Sequence, residues 1–133
     1  DIQQNTTMLN MLSHIQSDID NAQNIPQSYR EFTATEKLLL IEQEDLLIGY
    51  EFEDGQITRR ILNDTQTNHE SHAVHGTEQE NKWQIPDAKI QWNVHTKDGN
   101  GYCLEITNYI ESQDYSRTEK KMMNSHLYFI GAM

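Results

Sequence analysis

"YEFEDGQITRRIL", residues 50–62, decides the fold reading. Asp54-Gly55 supplies two adjacent residues that tolerate positive φ, as a two-residue hairpin connection demands. Counting outward from that turn, Glu53 faces Gln56, Phe52 faces Ile57, Tyr50 faces Arg59 and Ile48 faces Ile61. One face is then apolar except for Arg59, whose stem is expected along the Tyr50 ring with its head at the edge. Glu51 with Thr58 and Gly49 with Arg60 form the other face, expected to be wet, so the hairpin predicts a half-buried antiparallel sheet.

Upstream of the hairpin, "KLLLIE" (37–42) leads into "LLIGYEFE" (46–53), a further strand joined at 43–45. Before that the period is helical. From 1 to about 23, Leu9, Leu12, Ile15, Ile19 and Ala22 recur at spacings of three and four, and Met8 and Met11 widen the stripe. Gln, Asn, Ser and Asp are expected on the opposite face. Asn24-Ile25-Pro26 ends the helix, because the residue before proline is pushed out of the α region, and a connecting stretch runs to about 36.

Downstream, 63–82 is polar and aperiodic and reads as one long loop. Ile90, Trp92 and Val94 then alternate with polar residues, as do Leu104 and Ile106. Matching their apolar faces sets Val94 opposite Leu104 and Trp92 opposite Ile106. Asp98-Gly99-Asn100 is left as a three-residue loop closed by Lys97 and Gly101. "HLYFIGAM" (126–133) reads as a last strand. The layout predicts an α+β fold in a single domain, 1-133: a long N-terminal amphipathic helix packed on an antiparallel sheet of about six strands in two hairpin groups.

Composition narrows the partners. Ten basic residues against 21 acidic ones give a formal charge of -11, which argues against nucleic acid or an anionic membrane surface. The local exception, Lys120-Lys121 with Arg117, sits beside Glu119 and reads as a solvated turn. Cys103 is the only cysteine, so no internal disulfide forms, and its place in an alternating strand predicts a half-buried structural thiol. No apolar run approaches the ~18–20 residues of a membrane span, and no signal peptide is visible.

Three constellations bear on chemistry. His69, His72 and His75 ("HESHAVH") recur every third residue, with Glu70 and Glu78 nearby, but zinc on a helix prefers i and i+4 and no fourth ligand is indicated. "KDGNG" (97–101) lacks the run of acids and the closing Glu of a calcium loop. Glu51 and Glu53 share a strand face with Asp54 in the turn, and paired carboxylates can do acid–base work where a cleft desolvates one of them. On a wet sheet face they are solubilising. The expectation is therefore no enzyme, no catalytic residue, no cofactor and no metal.

The order "MLNMLSHIQSDIDNAQNI", "LLLIEQEDLLIGYEFEDGQITRRIL", "WQIPDAKIQWNV" resembles the soluble part of type IV pilin-like proteins, most similarly the J-type minor pseudopilins of type II secretion. The helix ends in a "D…A" pattern at Asp18 and Ala22. The hairpin follows the family pattern of Tyr, apolar, Asp-Gly, apolar, Arg at Tyr50, Phe52, Asp54, Gly55, Ile57 and Arg59. Trp83 with Ile85-Pro86 matches the opening of the family's second hairpin.

The resemblance implies a pilin-like periplasmic head, anchored to the bacterial inner membrane by an apolar helix expected ahead of Asp1, which would carry the only membrane contact. It implies a structural subunit that builds or caps the tip of a periplasmic pseudopilus. Its partners would be other minor pseudopilins, met through the helix and head, with Ile2, Met8 and Met11 as the partner-binding residues. The isolated domain would be a monomer or weak dimer. The alternatives are a minor pilin of a type IV pilus or competence system, and a small soluble α+β binding module.

Overall fold

The computed structural model describes residues 2–63, 80–111 and 123–131. One helix, α1 (Ile2–Asp20), is followed by β1 (Ser28–Tyr29), β2 (Phe32–Thr33), β3 (Leu38–Glu42), β4 (Leu47–Glu53), β5 (Gln56–Ile61), β6 (Asn81–Gln84), β7 (Ala88–Lys97), β8 (Asn100–Ile110) and β9 (Asn124–Phe129). The strands form three antiparallel sheets, ordered β1-β2, β3-β4-β5-β6 and β7-β8-β9.

This architecture corrects the expected α+β, pilin-like layout. Among the described residues strands take 52% and helix 18%, so these are mostly β, with one helix of about 19 residues and three sheets rather than two hairpin groups. Three strands escape the sequence pattern. β1 and β2 are two residues each, too short to show a period. β6, "NKWQ", buries only Trp83, so it offers no alternation to detect. Its pairing with β5 also moves Lys82 out of the expected loop and Trp83 into the first large sheet.

The central hairpin has the counted register, with Tyr50 opposite Arg59 and Phe52 opposite Ile57. Asp54 (φ 50°) and Gly55 (φ 76°) both lie in the left-handed region, which gives the turn a twist that matches the flanking strands. A Cβ on Gly55 would also stand 2.8 Å from the Pro86 Cα, so the turn is fitted against the β6–β7 link. In the second hairpin Val94 faces Leu104 and Trp92 faces Ile106, as the apolar faces require. Its loop, however, is two residues rather than three. Asp98 (φ 54°) and Gly99 (φ 84°) turn the chain, Lys97 faces Asn100, and the register shifts between His95 and Thr96. The Asp-Gly pair is itself a complete tight turn, and the extra residue, Tyr102, is absorbed in the strand as a bulge.

The helix stops at Asp20, short of the expected 23. The Asn21 and Ala22 amides bond back to the Asp18 and Ile19 carbonyls, and the Gln23 amide passes to the Glu42 carbonyl at 2.8 Å. One apolar cluster joins α1 (Met8, Met11, Leu12, Ile15, Ile19) to Leu39, Ile41, Ile48, Tyr50, Ile57 and Trp83 of the four-stranded sheet. The same cluster takes in Ala88, Ile90, Leu104 and Ile106 of the three-stranded sheet.

Two expectations about α1 fail here. Leu9 is 65% exposed, its place on the inner stripe taken by Met8 and Met11. Met8 and Met11, expected at a partner surface, are buried instead. The outward face of the four-stranded sheet is not wet throughout either, since Leu40 and Leu47 are fully buried on it. Among the described residues no helix is long and apolar enough to cross a membrane.

Candidate functional site

The inner face of β4, β5 and β6 places Tyr50, Arg59 and Asn81 side by side, because Tyr50 pairs with Arg59 and Arg59 with Asn81. Asp18 comes down onto them from α1. It lies three residues after Ile15 and seven after Met11, which keeps it on the buried stripe rather than on the polar face where composition placed it.

The Arg59 guanidinium grips this carboxylate with two hydrogen bonds, Nε to Oδ2 at 2.8 Å and Nη2 to Oδ1 at 3.0 Å. The Tyr50 hydroxyl donates to the same Oδ2. Arg59 Nη1 donates onward to Asn81 Oδ1 at 3.3 Å, and Gln43 Nε2 to the Asp18 carbonyl at 3.0 Å. The Asp18 side chain is 9% exposed and the Arg59 side chain 18%. Trp83 stacks over Tyr50 with ring centroids 6.2 Å apart, and its indole N–H donates to Asn10 Oδ1 at 2.8 Å, a second tie to the helix.

The electrostatics fix the roles. Burial pushes the Tyr50 hydroxyl far up from the ordinary phenol value, and the charge and hydrogen bond of Asp18 push it further. The bond to Asp18 holds Arg59 still more firmly protonated, against the opposing effect of burial. Tyr50 is thus a neutral donor and Arg59 a fixed cation, and the carboxylate between them is engaged on both oxygens. Three donors converge on the one carboxylate, two on Oδ2 and one on Oδ1. It is a clamp between helix and sheet, strong in the sense that breaking it leaves a buried charge unpaired.

The carboxylates singled out in the hairpin do come together. Glu51, Glu53 and Asp54 line an open cleft of about 350 Å³ with Gln56, Thr58, Arg60 and Gln84. Arg60 spans the cleft's rim, bonding Glu51 at 3.0 Å and Glu80 at 2.7 Å. That pairing holds the Glu80 carboxyl below the usual carboxylate range. The Glu51 side chain is 48% exposed, and Glu53 and Asp54 are exposed as well.

Cys103 is buried opposite His95, and His95 Nε2 lies 3.0 Å from Glu105. Burial, and then the Glu105 charge, raise the thiol's proton affinity, the reverse of what a nucleophile needs. Among the described residues no group of three or more His, Cys, Asp or Glu is placed to hold a metal ion. His69, His72 and His75, like Arg117, Lys120 and Lys121, lie outside the described residues. Of the three nominated contact residues only Ile2 is exposed, at 84%.

Asp18, Asn81 and Trp83 complete the clamp and were not anticipated as its members. For Asp18 a signal existed, an acid in register with an apolar stripe. Asn81 offered none. No protein-family model matches the chain, and neither does any curated protein or solved structure.

Proposed function

We propose that this chain is the head of a minor pseudopilin, most similar to the J-type, a structural subunit that builds or caps the tip of a periplasmic pseudopilus in type II protein secretion. The observation that carries the reading is the Asp18–Tyr50–Arg59 clamp. Its members are the Asp of the helix's "D…A" ending and the Tyr and Arg of the hairpin pattern, the residues on which the family resemblance rests. A subunit held in an assembly through its helix needs that helix coupled rigidly to its head, and a bidentate buried ion pair supplies the coupling. The reading rests on these residues and owes nothing to the strand count.

In this proposal the head is periplasmic, an N-terminal membrane helix holds the subunit in the bacterial inner membrane, and other minor pseudopilins are the partners. The charge of -11 adds repulsion between copies, so the isolated head is a monomer or weak dimer at micromolar concentration. Light scattering of the purified head, alone and mixed with each candidate minor pseudopilin head, tests the reading. A one-to-one complex with at least one of them is expected. A tight homo-oligomer that binds none of the heads overturns it.

A further inference from the structure

Two turns of the chain share one dipeptide and one backbone shape. Asp54-Gly55 and Asp98-Gly99 each close a two-residue hairpin with both residues at positive φ, 50° and 76° in the first, 54° and 84° in the second. Both aspartates are exposed. What differs is the glycine. Gly55 is buried, its carbonyl accepts from the Ile85 amide at 2.7 Å, and an added Cβ would stand 2.8 Å from the Pro86 Cα. Gly99 is exposed, and an added Cβ would meet nothing within 4 Å. The ladder bonds of a two-residue turn belong to the flanking pair, here Lys97 and Asn100. The Gly99 amide is therefore held neither by packing nor by the ladder.

An aspartyl–glycyl bond has chemistry of its own. The glycine nitrogen can close on the aspartate Cγ, because glycine has no side chain to block the approach. The N–Cγ bond forms and a Cγ–O bond breaks, and the oxygen leaves as water with the amide proton and the acid proton. The product is a five-membered succinimide, and water then adds back at one of its two carbonyls. Addition at Cγ returns aspartate. Addition at the backbone carbonyl breaks the old peptide bond and leaves the chain running through the side chain, as isoaspartate. No electrons are transferred, and the mass is unchanged. Ring closure turns the peptide plane between the two residues, so room to rotate decides the rate.

We propose that Asp98-Gly99 is a self-modification site, where the tip of the β7–β8 hairpin isomerises to isoaspartate in the folded protein while the matching Asp54-Gly55 turn, fitted against Pro86, is protected. The next pair, Asn100-Gly101, would close the same ring with loss of ammonia, and it is protected too. Gly101 is buried, its amide donates to Asn24 Oδ1 at 2.8 Å, and an added Cβ would run into the Ile25 carbonyl oxygen. Isomerisation lengthens the main chain by one carbon where the facing of Lys97 and Asn100 spans two residues only, so the tip loosens beside the Asn24 contact. The inference is independent of the pseudopilin reading, and no result below bears on that reading.

The test is prolonged storage of the purified, folded chain at neutral pH, well below its melting temperature. Electron-transfer fragmentation of its peptides separates isoaspartate from aspartate, and methyl transfer by a protein-isoaspartate methyltransferase counts the total. Isoaspartate is expected to accumulate at Asp98 about tenfold faster than at Asp54, a ratio equal to ~1.4 kcal/mol of additional local opening. Asn100 should gain no mass while the chain is folded. In urea Asp98 and Asp54 should react alike and Asn100 should deamidate, because the protection belongs to the fold. Asp98→Asn keeps a favoured turn pair and supplies a second readout. Its ring closure expels ammonia, so hydrolysis leaves the chain one dalton heavier, and that gain should map to position 98.

Equal rates at Asp98 and Asp54 in the folded chain, an Asp98 that stays unmodified, or a mass gain that maps to Asn100 in the folded chain would each overturn the inference.

Discussion

Asp18 holds a helix and two strands together through one carboxylate, so its loss leaves Arg59 half-buried with no counter-ion. Asp18→Asn keeps the shape but removes the charge, and should cost ~3–5 kcal/mol of stability in equilibrium denaturation. A loss below about 1 kcal/mol would show that the pair is solvated and not a clamp. Tyr50 gives a separate signature in alkali. Its folded-state proton affinity is raised by burial and by Asp18, so the folded chain keeps a proton that the unfolded chain releases above about pH 10. The stabilisation is therefore complete below that pH and declines above it, by about 1.4 kcal/mol per pH unit for one group. Tyr50→Phe should remove that share of the alkaline slope, as read from melting temperatures across the range. An unchanged slope would mean that Tyr50 ionises alike in both states.

Among the elements, α1 allows the sharpest contrast, because neighbouring positions differ so much in burial. Ile19 is fully buried and Leu9 largely exposed. Ile19→Asp should cost ~2–4 kcal/mol by burying an unpaired charge, whereas Leu9→Asp should stay within ~0.5 kcal/mol; melting of the two variants side by side decides it, and equal losses would put Leu9 in the core. The same elements show which parts of the fold are legible in sequence. The β4–β5 register is, because Asp54-Gly55 and the alternation around it are local signals that agree. The Val94–Leu104 register is legible for the same reason, although counting faces alone hides the bulge at Tyr102. β6 is not legible, since a polar outer strand with one buried residue has no period. The clamp is legible only in pieces: Asp18 and Arg59 are 41 residues apart, and only the packing of α1 onto that sheet face makes them partners. The acid's place on the apolar stripe was the available clue, and assigning every polar residue to the outer face concealed it.

For the molecule as a whole, the decisive fact is that one apolar cluster runs through α1 and both larger sheets. Unfolding should then be a single cooperative event. Trp83 reports on the four-stranded sheet and Trp92 on the three-stranded one, so the fluorescence of Trp83→Phe and Trp92→Phe, each normalised to its own global transition by circular dichroism, should follow that transition without offset. Fluorescence that leads or lags the global transition in either variant would mean that the sheets unfold separately. The ties along α1 also differ in kind. Gln4 exchanges two hydrogen bonds with Asp87, Asn10 accepts one from Trp83, and the doubly bonded, charged grip of Asp18 comes only in the last turn. If the helix is pulled along its axis, the separate amide contacts near its start yield first and the force then passes into β4 and β5 at Asp18. Mechanically the chain behaves as a rod with a peelable front and an anchored rear, and traction on its N-terminal end drags the head by the central hairpin.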